Sequence, residues 1–230
     1  MDADVLQVRT PFVCFHVLRD ERGLYLIDAG FVGGATALRR ALLRRGWDAL
    51  PIKGILLTHG HIDHTFNVAR LARETGAWVA APRLDVEHCA ARYPYQGLAR
   101  ACGWLEATGR AMFGFEAFHV DHWLDDNTEL PIWDGLKAIH LPGHTVGHMG
   151  FYSPTRRLLF TGDLICSYPF GAFLAPPILN SCPSLLRSSI ARIGTLGLDG
   201  VLPNHGDAAA ADIHLRRVRR RWRAAGAQTS

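Results

Sequence analysis

Three histidines and an aspartate crowd into Thr58-His59-Gly60-His61-Ile62-Asp63-His64, directly behind the apolar run Ile52-Lys53-Gly54-Ile55-Leu56-Leu57. Imidazole nitrogen and carboxylate oxygen are donors that zinc, iron and manganese accept. The apolar run predicts a short buried strand. His59 and His61, two apart, then fall on one side of an extended backbone. Metal-binding pairs on helices are spaced by three or four residues, so the cluster is expected on a loop at a strand end. The competing reading of this stretch is a polar turn with solvated histidines.

The rest of the chain repeats the design. His144, in Leu141-Pro142-Gly143-His144-Thr145-Val146-Gly147-His148, follows the strand-like Leu136-Lys137-Ala138-Ile139-His140. Asp163 closes Arg157-Leu158-Leu159-Phe160-Thr161-Gly162-Asp163, an apolar strand that is expected to run into a Gly-Asp turn. His205 closes Val201-Leu202-Pro203-Asn204-His205-Gly206. Core packing does not require several strand-to-loop junctions that each end in a metal-binding side chain. In layered α/β folds, sites collect on the loops at one edge of the sheet.

The ordered set HGHIDH, PGHTVGH, FTGD and PNHG resembles the metallo-β-lactamase superfamily and its dinuclear hydrolase signature HxHxDH. Leu24-Tyr25-Leu26-Ile27-Asp28-Ala29-Gly30 resembles the strand and aspartate that open that family's pattern. The resemblance implies an α/β fold, a four-layered αββα sandwich, with two metals in a cleft between sheet edges. It implies that His59, His61 and His144 hold the first metal, that Asp63, His64 and His205 hold the second, and that Asp163 bridges them. Zinc is the first expectation for both ions, with iron or manganese as alternatives. Asp28 is expected to fix loop geometry, and His148 to brace the site from behind.

The chain has 230 residues, 48% of them hydrophobic and 20% charged, which suits an ordinary globular protein. Ligands spread from His59 to His205 must converge, so residues 1–230 are expected to form a single domain. No apolar run approaches the length of a membrane span, and the N-terminus lacks the pattern of a secretory signal. Five scattered cysteines (Cys14, Cys89, Cys102, Cys166 and Cys182) predict reduced thiols and a cytoplasmic setting. Cys166, near the proposed ligands, reads as a small apolar filler. The net charge of +4 rests on Arg216, Arg217, Arg219, Arg220, Arg221 and Arg223; without them the rest is slightly acidic. Asp212 to Ala225 therefore reads as an amphipathic helix with a solvated arginine face, with nucleic-acid recognition as the competing reading.

Further elements are expected as paired strands at Val13 to Leu18 and Leu24 to Asp28, and helices at Ala35 to Arg45 and Asn67 to Thr75. A strand at Ala77 to Ala81 and a helix at Leu185 to Leu196 complete the series. Between residues 83 and 121, helical signals mix with Tyr93, Tyr95, Trp104, Met112, Phe113, Phe115 and Phe118. A second aromatic loop holds Tyr168, Phe170 and Phe173. These rings are expected either to wall a small-molecule substrate or to pack in the core or a homodimer interface.

The expected chemistry is hydrolysis by a hydroxide shared between two divalent cations, with Asp63 and Asp163 as the acidic groups that hold them in place. Zinc β-lactamases of the best-known kinds lack an aspartate at the position of Asp163. Glyoxalase II shares the whole ligand set, but too short a stretch follows His205 for its helical substrate domain. Quorum-signal lactonases carry a tyrosine where this chain has Cys166. The expectation is therefore a hydrolase of a small ester, thioester or lactone. A phosphodiesterase or nuclease, or an iron-dependent persulfide dioxygenase in the same fold, stands as the alternative.

Overall fold

Parallel strands covered on both faces need continuous apolar runs, whereas hairpin strands tolerate polar positions, and the chain uses both. The computed structural model describes residues 3–92, 95 and 100–224. It divides into two compact units, one ending at Leu124 and the other starting at Asp125.

The N-terminal unit begins with an antiparallel meander, β1 (Val5–Arg9), β2 (Cys14–Asp20) and β3 (Gly23–Ile27). Helix α1 (Gly34–Arg45) ends at Gly46 and returns the chain to β4 (Ile52–Leu56), which lies parallel to β3. Two helices, α2 (Ile62–Thr65) and α3 (Val68–Thr75), lead to β5 (Trp78–Pro82). Helices α4 (Val86–Cys89) and α5 (Arg100–Phe113) lead to β6 (His122–Leu124), and the sheet order is β1-β2-β3-β4-β5-β6. Leu26, Ile55 and Val79 meet Leu38, Leu42, Val68 and Leu71 of α1 and α3 in its core. Register places Ile27 beside Leu56. The residues that follow, Asp28 and Thr58, thus leave the sheet at the same carboxyl edge.

The C-terminal unit is a second mixed sheet. Strands β7 (Glu129–Leu130), β8 (Leu136–His140), β9 (Met149–Ser153) and β10 (Leu158–Tyr168) are antiparallel neighbours, and β11 (Gly171–Phe173) folds back on the far end of β10. After α6 (Leu186–Thr195), β12 (Gly200–Gly206) runs parallel to β10, and α7 (Ala211–Ala224) follows. Leu159, Ile165, Leu186, Ile193, Val201, Leu215 and Val218 form the core. Among the described residues, no helix is long and apolar enough to cross a membrane.

Most expected elements appear within a residue or two of their sequence limits. The exception with consequences is Asp163, which does not end a strand. It lies inside the eleven-residue β10, where register against β12 shifts between Phe160 and Gly162 and again between Gly162 and Cys166. Gly162 takes φ +53° there, a conformation that glycine adopts at little cost. The apparent Gly-Asp turn is a bulge that re-aims Asp163 without ending the strand.

Helix α7 also departs from a uniformly solvated arginine face. Leu215, Val218 and Trp222 are buried and Arg216 and Arg220 are exposed, but Arg217 is half-buried and donates to Asp207 at 2.9 Å. Ala225, expected as the last helical residue, lies outside the described residues. The Arg217 hydrogen bond is the main reason that the Asp207 carboxyl is held below its ordinary value. A depressed carboxylate contributes stability above its unfolded pKa of about 3.9 and loses it as pH falls through the folded value. Arg217→Gln is therefore expected to cost up to about 1 kcal/mol at neutral pH, with the difference from the parent closing in acid. Arg220→Gln should cost nothing measurable. Urea denaturation at neutral and acidic pH checks both; an equal effect of the two variants would contradict the tether.

Candidate metal centre

The N-terminal unit organises its histidines around Asp28, which is fully buried and has φ +64°. Left-handed backbone is tolerated by aspartate better than by most residues. One carboxylate oxygen accepts the Thr58 backbone N–H at 2.8 Å; the other accepts the Thr58 hydroxyl at 2.8 Å and His64 Nδ1–H at 2.9 Å. The Thr58 hydroxyl has spent its proton on Asp28, so at 2.9 Å from His59 Nδ1 it can only accept. Both His59 and His64 are thereby fixed as Nδ1–H tautomers with Nε2 available as a ligand atom. Asp63 brings a carboxylate oxygen to 3.6 Å from His64 Nε2. Asp63 and His64 sit in the single turn of α2, not on the plain loop that the sequence predicts.

His61 is held by a different route. Its Nε2 meets the Tyr95 hydroxyl, which donates onward to Glu106 at 3.1 Å. That order makes His61 an Nε2–H donor and turns its Nδ1 toward His59 Nε2, 3.1 Å away. Two imidazole lone pairs facing each other at this distance repel unless a cation lies against both. The donor set therefore fits a transition metal.

Glu106 and Arg110 of α5 fasten the loop that carries these rings. Glu106 accepts the Ile62 N–H at 2.9 Å and Arg110 at 2.9 Å, while Arg110 also donates to the Gly60 carbonyl at 2.8 Å. Burial pushes the Glu106 carboxyl up, and the Arg110 guanidinium pulls it back. On the other side, Gly60 N–H donates to the buried Asp85 at 3.1 Å. A Cβ on Gly60 would stand 2.4 Å from that of His88. The glycine is needed for this close approach.

The C-terminal unit gathers His144, Asp163 and His205. Asn180 uses its amide N–H on the carbonyls of Ala175 and Pro176, so its oxygen faces His144 Nδ1 at 3.1 Å. His144 is thus also an Nδ1–H tautomer, and its Nε2 lies 3.5 Å from an Asp163 oxygen. His205 Nε2 approaches the same oxygen at 3.0 Å. The pairing of Cys166 with His205 between β10 and β12 creates this juxtaposition. His148 donates from Nδ1 to the Leu141 carbonyl and accepts the Asp163 N–H at Nε2, both at 3.1 Å. Both of its nitrogens are used, so His148 holds the backbone of Asp163 and is not a ligand. Burial, reinforced by Asp163, pushes the Cys166 thiol up to about 11.

The aromatic residues separate into different roles. Tyr168 and Phe170 stack with centroids 5.6 Å apart, and Phe173 stands 5.5 Å from Phe170 on the same hairpin. Phe170 is 80% exposed. On α5, Trp104 and Met112 are about as exposed, while Phe118 packs against the core and Phe115 lies under the Arg110 guanidinium. Tyr93 lies outside the described residues. Sequence reasoning missed Asp85, Glu106, Arg110 and Asn180, and it read Tyr95 as an apolar ring only. The spacing of Glu106 and Arg110, four apart on one helix face, was the one local signal.

A family model described as the metallo-beta-lactamase superfamily matches residues 13–217. The hydroxyacylglutathione hydrolase GloC of Haemophilus influenzae is 29% identical over 154 residues, which are 66% of this chain and 66% of that protein. A hydroxyacylglutathione hydrolase of Cereibacter sphaeroides is 34% identical over 161 residues, 67% of this chain and 51% of the relative. The chain thus spans about half to two thirds of the length of these curated relatives. A metallo-β-lactamase with a HARLDQ motif from Cronobacter sakazakii superposes with TM-score 0.67 at 26% identity, covering 88% of this chain and 75% of that one. The two mixed sheets and their helices belong to that fold, as the motif series predicts.

The Asp28 hub generates a stability prediction. Asp28→Ala removes the acceptor of three buried donors at roughly 1–3 kcal/mol each, so a loss of about 3 kcal/mol or more is expected. Chemical denaturation of the parent and variant measures it. A loss under about 1 kcal/mol would show that the loop does not depend on this carboxylate.

Proposed function

Because the chain belongs to the metallo-beta-lactamase superfamily, we propose that it is a dinuclear metal-dependent hydrolase of a small ester, thioester or lactone. In this reading His59, His61 and His144 hold one metal, Asp63, His64 and His205 hold the other, and Asp163 lies between them. The two compact units then work as one domain. The observation that carries the proposal is that His59, His61, His64 and His144 each have one ring nitrogen within hydrogen-bond distance of Thr58, Tyr95, Asp28 and Asn180 respectively. Metal-ligating histidines are held in this way, with the other ring nitrogen left for the ion.

Bound there, two divalent cations would lower the pKa of a shared water towards roughly 7 and stabilise negative charge on an acyl oxygen. The chain's own residues supply the positioning. Asp163, held through its N–H by His148, contributes the anionic bridge. Asp28 and the Tyr95–Glu106 pair keep the imidazoles from swinging away. The stacked rings of Tyr168 and Phe170, with Phe173 beside them, offer an apolar wall that suits an acyl or aryl group better than a phosphate. Zinc is the proposed metal. A reducing, cytoplasmic setting is part of this reading, on the odd number and scatter of the five cysteines in the sequence. The exposed Trp104 and Met112 on α5 support a homodimer.

Elemental analysis should find about two transition metals per chain. One tightly held iron, with oxygen uptake on glutathione persulfide, would instead establish a dioxygenase. On the same sample, an aryl ester, an acyl thioester or a lactone should be cleaved faster than bis(p-nitrophenyl) phosphate. A tenfold preference for the phosphodiester, about 1.4 kcal/mol, would overturn the acyl assignment.

Two variants probe the roles. Asp163→Asn keeps size but removes the bridging charge, so kcat is expected to fall about a hundredfold or more, with a smaller change in KM. Near-normal activity at normal metal content would refute the bridge. Tyr95→Phe removes the partner of His61 and should weaken zinc, measured by chelator competition, about tenfold or more. Unchanged zinc affinity would reduce Tyr95 to packing.

A further inference from the structure

The C-terminal unit contains a cavity of about 380 Å³ that none of the candidate ligand histidines lines and to which Phe173 contributes. Ile165 and Ala172 of the β10–β11 hairpin, Leu186 at the start of α6 and Val218 of α7 line its floor, all at least nine-tenths buried. Arg187 and Arg221 stand exposed at its rim. The volume falls within the roughly 300–1,000 Å³ of small-molecule sites.

The charge pattern identifies what would fill it. Four other arginines on these two helices are engaged, Arg192 with Asp126, Arg216 with Asp212, Arg217 with Asp207, and Arg219 with the Leu198 carbonyl, while Arg220 is exposed but does not line the cavity. Among the described residues, Arg187 and Arg221 have no acidic or carbonyl partner, and no acidic residue lines the cavity. A neutral apolar occupant would use only the floor, whereas an anionic head group would also be met by the two rim guanidinium groups. A second copy docked face to face across a twofold would set these arginines against their own duplicates. We propose that this cavity binds an amphipathic carboxylate, its alkyl chain on the apolar floor and its carboxylate taken by Arg187 and Arg221.

Dodecanoate, kept below its micelle concentration, is the probe, titrated into the full chain by calorimetry. Saturable binding near one per chain is expected. The double variant R187Q/R221Q should bind about tenfold more weakly or worse, with an unchanged thermal melt because both side chains are exposed. R220Q removes an equally exposed charge of α7 away from the rim, so it should bind like the parent. Dodecyltrimethylammonium should not compete. The proposal fails if binding is not saturable, if R220Q weakens it as much as the double variant, or if the cationic detergent competes equally. It also fails if the protein self-associates through this face and dodecanoate does not dissolve the contact, since a second copy is then the occupant.

Discussion

A single buried carboxylate, Asp28, sets the geometry on which the histidine cluster of the N-terminal unit depends. Parallel pairing of β3 with β4 brings Asp28 and Thr58 to the same sheet edge, and the carboxylate then takes three hydrogen bonds there. Hydrogen bonds to a charged acceptor are each worth roughly 1.5–3 kcal/mol. Together they offset the cost of burying an ion and of the left-handed backbone at Asp28. The same bonds fix which nitrogen of His59 and of His64 carries the proton. A structural constraint thereby becomes a chemical one.

The C-terminal unit reaches the same end by other means. There a neutral amide, Asn180, orients His144, and a histidine, His148, fastens the backbone of Asp163. The bulge in β10 is what lets a strand residue turn its carboxylate toward His205 while the strand continues into the β10–β11 hairpin. Strand order, bulge and side-chain partners all act on the direction of a few lone pairs. None of these devices contributes a ligand atom of its own.

The candidate ligand residues stand in local motifs near strand ends, which is why the sequence singles them out, and strand limits such as Leu136–His140 follow from apolar runs alone. What surrounds the ligands was not legible. Tyr95 meets His61 across 34 residues and Arg110 meets Gly60 across 50, and no short-range period encodes either contact. Asp163 was misplaced because a glycine beside an aspartate reads as a turn. Only the pairing of β12 with β10 reveals the bulge. The arginines of α7 looked alike in sequence, yet Asp207 distinguishes Arg217 from its neighbours.

Preset histidine tautomers are the property that joins fold to proposed chemistry, and long-range proton–nitrogen NMR of the metal-free protein at about pH 8 reads them directly. His59, His64 and His144 should each appear as the Nδ1–H form and His61 as the Nε2–H form, all locked before any metal is added. Rapidly averaged tautomers at these four rings, like those of a solvated imidazole, would contradict preorganisation of the centre.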